Sequence, residues 1–322
     1  MIAMDYPPEQ SQRQGGPSVE YHEPVLLAEV LKALAPAPGD LFVDGTLGGG
    51  GHSFALLEAG AQVVAFDQDP EALAFASRRL SRHGGNFRAI HTSFAKAAEA
   101  LDALGIAQVD GVLLDLGVSS HQLDVPERGF SFQKDGPLDM RMDPTALVSA
   151  ADLVNTMSPE QLERIFRQYG EEPAARKIAA RIVRDRSVQP FTRTLQLADS
   201  VESVVPRRGK THPATRVFQA LRMAVNRELE ALEAGLEQFT ARLAPGARFG
   251  VITFHSLEDR IVKQFFKARS EEWIDRPEWP APRRNPDHLF RKITGKAVIA
   301  GEAEQTANPR SRSAKLRAVV KI

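Results

Sequence analysis

The chain contains no cysteine. That absence removes disulfides, thiolate metal centres and a cysteine nucleophile before any motif is read. Net charge is missing too, since 41 Lys and Arg balance 41 Asp and Glu, which argues against a protein that holds a polyanion over its whole surface. No apolar run is long enough to cross a bilayer. Residues 1–20, MIAMDYPPEQSQRQGGPSVE, lack the basic start and apolar stretch of a secretion signal. The expectation is a soluble, cytoplasmic protein with no membrane partner. Rich in Pro, Gln, Gly and Ser, residues 1–20 read as a disordered tail.

What is present suits a globular protein. With 322 residues, 43% of them hydrophobic, the chain can bury a core, and its length favours one large domain with an insertion or two domains. From Leu41 to Gly117 short apolar runs alternate with helical patterns: LFVD (41–44), VVAFD (63–67), FRAIH (87–91) and VDGVLLDLG (109–117). Near-continuous apolar strands separated by helices mean a parallel sheet covered on both faces. Past Gly117 the texture changes. Pro126, Gly129, Gly136, Pro137 and Pro144 break up a polar stretch, and helical periodicity then runs to about Gly235. Within it, Ser158-Pro159-Glu160-Gln161 has the form of a capping box with proline at the first helical position. Strand character returns at ARFGVITF (247–254), KAVIA (296–300) and LRAVVKI (316–322). The expected architecture is a doubly wound α/β domain over 21–124 and 217–322, with an all-helical insert over 125–216.

The balanced charge hides a local excess. Between Arg176 and Arg216 stand Arg176, Lys177, Arg181, Arg184, Arg186, Arg193, Arg207, Arg208, Lys210 and Arg216, opposed only by Asp185, Asp199 and Glu202. Such a patch is either a nucleic-acid contact or a solvated helix face.

The first strand runs into Asp44-Gly45-Thr46-Leu47-Gly48-Gly49-Gly50-Gly51-His52. Glycines there let a ligand approach the backbone at the carboxyl end of the sheet. No glycine in the run has partners both two and five residues later, so the dinucleotide fingerprint fails, and no Gly-Lys-Ser/Thr follows to make a phosphate loop. Asp67 ends the second strand, where a carboxylate can accept hydrogen bonds from both hydroxyls of a ribose. Asp69, before Pro70, is placed to cap the next helix instead. A glycine loop and a ribose acid without a pyrophosphate signature suggest a nucleoside cofactor lacking phosphates, a description that S-adenosylmethionine fits.

Asp115 ends the fourth strand. It is a candidate acceptor for hydrogens of substrate or cofactor, or a strand-end turn residue. In Phe254-His255-Ser256-Leu257-Glu258-Asp259-Arg260, Ser256 with Asp259 reads as a helix cap, and His255 either lines the pocket or is a structural histidine. The segment His212 to Leu229 reads as one helix with Phe218, Leu221, Val225 and Leu229 as core. Arg222 and Asn226, four residues apart on one helix face, are placed for a polar contact either to the active site or to a neighbouring loop, and the pattern leaves their role open.

Taken together, these residues resemble the ribosomal RNA small subunit methyltransferase H family. The resemblance is carried by Tyr21-His22-Glu23-Pro24-Val25-Leu26-Leu27, Asp44 to His52, Leu113 to Ser120, Arg128 to Phe132, Gly136 to Asp143, His212 to Leu229, Phe254 to Arg260 and Asn308-Pro309-Arg310. It implies a class I methyltransferase fold (Rossmann-like) with a helical insert, S-adenosylmethionine as donor, and N4-methylation of a cytidine in the decoding region of 16S ribosomal RNA within the small (30S) subunit. The family's cofactor contacts map onto Gly50, Gly51, His52, Asp67, Phe94, Asp115 and Gln122. His121 departs from the family, where proline can stand.

The missing cysteine now bears on mechanism. Methylation of carbon 5 of a pyrimidine ordinarily needs a cysteine that adds at carbon 6, which leaves direct transfer to nitrogen or oxygen. Asp115 is the first candidate to accept the amine hydrogen, with His22, Glu23 and His255 behind it. The loop here is Asp-Leu-Gly-Val and not the Asp/Asn-Pro-Pro-aromatic of many amino-methylating enzymes, so the acceptor stays open, and no residue is assigned to a metal. Two other classes compete: a non-catalytic RNA-binding assembly factor that keeps the cofactor fold, and a small-molecule methyltransferase.

Overall fold

The apolar runs of the first third become parallel strands in the computed structural model, which describes residues 24–207, 209 and 212–322. The tail read over 1–20, the Tyr21-His22-Glu23 segment, and Arg208 and Lys210 of the basic stretch lie outside the described residues. After α1 (Leu27–Leu34) come β1 (Leu41–Asp44), α2 (Gly51–Glu58), β2 (Gln62–Asp67), α3 (Pro70–Leu80), β3 (Phe87–His91), α4 (Ala97–Ala103) and β4 (Val109–Asp115). Asp69 caps α3 by accepting the Glu71 N–H, with Pro70 in the first turn. Alternate residues of each strand serve opposite faces. Phe42, Val63, Ala65 and Leu113 pack with α1, α2 and α3, while Val43, Val64, Phe66 and Leu114 pack on the other side with Leu101 of α4. Burial on both faces explains why β1, β2 and β4 read as apolar runs, whereas β3, at the sheet edge, has no buried residue.

After α5 (Ser120–Asp124) the helical layer follows: α6 (Ala150–Thr156), α7 (Pro159–Gln168), α8 (Ala175–Arg186), α9 (Thr194–Glu202) and α10 (Thr215–Asn226). It has a core of its own, built from Leu153, Leu162, Phe166, Ile178, Ile182, Leu197, Val201 and Leu221 among others. Ser158 caps α7 in a reciprocal box with Gln161, as its sequence spells out. The chain then re-enters the sheet through α11 (Glu228–Arg242), β5 (Leu243–Thr253) and α12 (Ser256–Ser270). A separate two-stranded ribbon, β6 (Trp273–Ile274) and β7 (Arg283–Arg284), leads to β8 (Phe290–Lys292), α13 (Glu302–Ala307) and β9 (Lys315–Lys321). The seven-stranded order is β3-β2-β1-β4-β5-β9-β8. β5 is parallel to β4, and β9 runs antiparallel to β5. This is the class I methyltransferase sheet that the resemblance implied. Its winding reverses between β1 and β4, which opens a crevice at their carboxyl ends.

Three details differ from the sequence reading. The segment 212–229 is not one helix, because Arg227 takes a left-handed conformation (φ 50°) and ends α10 before α11 begins. Phe218 and Leu221 are buried, Val225 only partly, and Leu229 belongs to the next helix. An arginine at a position that favours glycine leaves no compositional mark, so the apolar period appears to run straight through. The boundary drawn at 216/217 falls inside α10, whose Val217, Phe218 and Ala220 lie in the helical core. Finally, KAVIA forms no strand, only an isolated bridge from Val298 to Leu316. The strand next to β9 is the short, charged Phe290-Arg291-Lys292, which periodicity could not flag because an edge strand keeps charge outward.

Candidate active site

β1, β2 and β4 each end on an aspartate: Asp44, Asp67 and Asp115. A cavity of about 360 Å³ opens at the carboxyl ends of these strands, with Asp67 and Asp115 in its wall, a size that suits a small organic ligand. Asp44 is buried below it and takes hydrogen bonds from the Ser53 hydroxyl (2.7 Å) and the Thr46 N–H (3.1 Å). Burial pushes its carboxyl up.

Between β1 and α2 the glycines do different jobs. Gly48 has φ 49°, and its N–H donates to Asp67 Oδ2 at 2.8 Å. Gly50 has φ 72° at the start of α2, and a Cβ there would meet the Ala76 Cβ at 3.2 Å. Gly50 therefore sits against α3 and is not in the cavity wall, whereas Gly48, Gly49 and Gly51 are.

Asp67 also accepts the Asp69 N–H at 2.9 Å. Burial drives its carboxyl up to about 6, against the pull of the Asp69 and Gly48 N–H groups. Each oxygen has a second lone pair, so both can still take a hydroxyl proton.

His52 and Asp115 face each other across the cavity floor, with Nε2 3.5 Å from Oδ2. His52 is only 6% exposed, and among the described residues neither of its ring nitrogens has a hydrogen-bond partner; nor does Asp115 Oδ1. Buried polar atoms without partners are costly. Their clustering on one cavity marks where a polar ligand belongs.

Phe94 and Gln122 complete the wall. Gln122 accepts the Ser119 N–H and donates to Asp69 Oδ2 at 2.8 Å, which fixes its side chain in the wall. Asp69 in turn holds Arg128 at 2.7 Å, and Arg128 donates to the carbonyls of Arg141 and Met142. Thus the Arg-Gly-Phe and Asp-Met-Arg-Met motifs brace the wall from behind.

Across the cavity stand Arg222 and Asn226 of α10, Glu228 of α11 and Glu258 of α12. Arg222 makes two 2.8 Å bonds to Glu228 across the Arg227 break. Asn226 accepts the Met142 N–H and donates to the Met140 carbonyl, both at 2.8 Å, which answers the question its sequence position left open. Burial pushes the Glu228 carboxyl up while Arg222 pulls it down. Glu258 is held below the usual range although burial opposes it, by His255 and the Phe254 N–H.

His255 does not reach the cavity wall. It caps α12, accepting the Glu258 N–H while Glu258 accepts its own. The cap expected of Ser256 and Asp259 is therefore one residue earlier. Ser256 donates to Glu171 at 2.8 Å, and Asp259 pairs with Arg317 at 2.8 Å. Ligand-type atoms of Glu228, His255 and Glu258 lie within 4.8 Å of one another, but Arg222 occupies both Glu228 oxygens and the cap occupies Glu258. His22 lies outside the described residues. Glu228 and Glu258 were missed by the sequence reading, because nothing in their spacing says that two helices will bring them to Arg222.

Of the basic stretch, Arg176, Lys177, Arg184, Arg193, Arg207 and Arg216 are exposed. Arg181 is tied to Asp185, Arg186 to the Val154 carbonyl and Arg193 to Asp135.

A family model described as "MraW methylase family" matches residues 19–322. A protein of Trichlorobacter lovleyi named "Ribosomal RNA small subunit methyltransferase H" is 52% identical over 308 residues, covering 94% of this chain and 98% of its own. One of the same name from Anaeromyxobacter dehalogenans is 52% identical over 304 residues, with 94% and 98% covered. A solved structure titled as an rRNA methylase from Streptococcus thermophilus aligns over 92% of each chain at 14% identity, with a TM-score of 0.39.

Proposed function

We propose, from the premise that this chain belongs to the MraW methylase family, that it methylates ribosomal RNA of the small subunit with S-adenosylmethionine, and specifically the exocyclic N4 amine of a cytidine in the decoding region of 16S ribosomal RNA. The observation that carries this reading is the group of buried atoms without partners, His52 Nδ1 and Nε2 and Asp115 Oδ1, in one cavity with the ribose-type acid Asp67 and inside a chain 52% identical to named small-subunit methyltransferases.

The residues present fit such a donor. Asp67 accepts from the ribose hydroxyls, Phe94 and Gln122 wall the nucleoside, and the backbone of Gly48, Gly49 and Gly51 permits close approach. Gly50 contributes by seating the loop on α3, and His52 offers its unspent ring nitrogens to the amino-acid end. When bound, the sulfonium supplies an electrophilic methyl group.

The amine lone pair is delocalised into the cytosine ring, so holding nitrogen, methyl and sulfur in line contributes much of the rate. As the nitrogen–carbon bond forms and the carbon–sulfur bond breaks, the nitrogen gains positive charge and loses a proton. Asp115 Oδ1 is the acceptor we assign, and an acceptor fixed beforehand needs no reorganisation at that moment. His22, from the Tyr21-His22-Glu23 motif, is a second candidate acceptor. His255 acts through Glu258, if at all, because it caps α12.

A paired base cannot reach the cavity, so the target is unpaired or flipped. The division of labour we propose places cofactor and chemistry in 21–124 and 217–322, and RNA contact in 125–216, whose exposed cations include Arg176, Lys177 and Arg184. Cytoplasmic action on the 30S subunit follows from that substrate. Among the described residues no helix is long and apolar enough to cross a membrane.

Nucleoside mass spectrometry of small-subunit RNA from cells with and without the gene tests the reading, alongside single-turnover assays on 30S subunits, protein-free 16S RNA and a short oligonucleotide. Subunits should react fastest and the oligonucleotide slowest, because folded RNA is selected by shape. A methyl found on a ribose oxygen or a ring carbon overturns the amine chemistry.

A further inference from the structure

Two arginines line the cavity, Arg222 and Arg310, and their surroundings differ. Arg222 is matched by both oxygens of Glu228. Arg310, from the Asn308-Pro309-Arg310 motif between α13 and β9, has no such match. Its Nη1 donates to the neutral Ser120 hydroxyl. Its Nη2 lies 3.7 Å from Asp124 Oδ1, on a carboxylate that is itself 60% exposed, while Arg310 is 29% exposed. Burial holds Arg310 below the usual arginine range, with Asp124 opposing only in part. Among the described residues, a half-buried cation whose carboxylate partner is distant and itself exposed keeps room for a second, closer counter-charge.

The backbone that presents Arg310 is anchored. The Asn308 side chain accepts the Arg310 N–H at 3.2 Å, and the Ser311 hydroxyl donates to the Asn308 carbonyl at 2.8 Å. Ser311 is 1% exposed, and Glu304 of the preceding helix accepts the Leu26 N–H at 2.7 Å. Through Ser120 and Asp124 the guanidinium faces the loop after β4 and α5, not the glycine loop after β1. Its neighbours in the wall there, Ser119, Ser120 and Ser313, are neutral.

We propose that Arg310 grips a phosphate of the target nucleotide at the mouth of the cavity and so sets the depth to which the base enters. The inference rests on the reading that the substrate is a nucleotide of RNA. The planar fork matches two phosphate oxygens at once. Asp115, at the end of β4, then meets the base edge while Arg310 holds its backbone. The donor's own carboxylate is the other anion that could take this guanidinium. The position on the β4–α5 side, away from the glycine loop, favours the phosphate.

The test compares wild type, Arg310→Gln and Arg310→Lys in three measurements. Filter binding of 16S RNA across a salt series reads RNA contact without turnover, calorimetry with S-adenosylmethionine reads the cofactor side, and single-turnover methylation of 30S subunits reads the product. Arg310→Gln should weaken RNA binding about tenfold or more and lower the salt slope by roughly 0.7, the share of one single-strand phosphate contact, with cofactor affinity unchanged. Arg310→Lys, which keeps the charge without the fork, should recover the slope and part of the affinity. An unchanged RNA slope in Arg310→Gln overturns the inference, and so does a tenfold loss of cofactor affinity with RNA binding intact, which would assign the guanidinium to the donor's carboxylate. If wild type binds with the expected slope but methylates no N4 amine, the proposed function fails while the Arg310 contact stands on its binding data.

Discussion

The two walls of the cavity are built on opposite plans. The near wall, from Gly48 to Gln122, comes from strand ends and the turns that follow them, and its floor leaves His52 and Asp115 atoms without partners. The far wall, Arg222, Asn226, Glu228 and Glu258, comes from helices around the helix break at Arg227, and its polar groups are spent within the protein, Arg222 on Glu228, Asn226 on the Met140 carbonyl and Glu258 on the Phe254 N–H. A wall that receives a polar ligand keeps hydrogen-bonding capacity open at some cost in stability. A wall that shapes the cavity is neutralised internally and holds its form before any ligand arrives. Substitutions should therefore strike binding on one side and folding on the other.

The largest effect is expected on the far side. Arg222→Met leaves Glu228 buried without its counter-charge, and should lower stability by about 3–5 kcal/mol in denaturant unfolding. The double variant Arg222→Met with Glu228→Leu should regain most of that loss, because an apolar pair of similar volume carries no stranded charge. A single variant that unfolds like wild type would break the contrast between the walls.

Next comes the near wall. Asp67→Ala should weaken S-adenosylmethionine binding by about 2–3 kcal/mol in calorimetry, since charge-assisted bonds to the ribose disappear. Unchanged affinity in a folded variant would remove Asp67 from the site.

The same carboxylate gives a pH test. Ribose hydroxyls donate to the charged form, and Asp67 is raised to about 6, so cofactor affinity should hold above that pH and fall by up to about tenfold per unit below it. Stability of the free protein moves the other way. The folded state holds a proton that the unfolded chain releases between 3.8 and about 6, so this group's contribution to stability is present at the acid end and is lost as pH rises through that window. An affinity that is flat from pH 7 to 5 would show that Asp67 does not meet the ribose as an anion.

The smallest effect belongs to neither wall. Changing Arg176, Lys177 and Arg184 together to Gln should lower the salt slope of RNA binding by up to about 2, at roughly 0.7 per single-strand phosphate contact, with cofactor affinity and stability intact. Arg181 and Arg186 are left alone because they hold Asp185 and the Val154 carbonyl. An unaltered slope would return these residues to a solvated helix face.

Local chemistry explains what could be read from the residues alone. Strands buried on both faces must be apolar throughout, a helix that begins at Ser158-Pro159 must satisfy its own N–H groups, and a turn that meets a ligand needs glycine at Gly48. Each of those constraints acts within a few residues, so β1 to β4, the α7 cap, the Asp69 cap and the near wall were all legible. Where charge and conformation depend on distant partners, the pattern carried nothing. Arg227 takes its left-handed turn without glycine, and that turn brings Arg222 to Glu228; α12 then adds Glu258 beside them, and His255 is spent as a cap. Gly50 shows the same limit on a smaller scale: its type and place in the loop were evident, but only the packing of α2 on α3 decided that it faces Ala76 and not the cavity. The sequence by itself determined the parallel strands of the sheet, the helical layer and the wall made of contiguous turns, because short-range hydrogen bonding and two-sided burial restrict which residues can stand there. Tertiary packing alone decided the far wall and the half-buried position of Arg310, because a desolvated charge is defined by what surrounds it in space, and its neighbours are scattered along the chain.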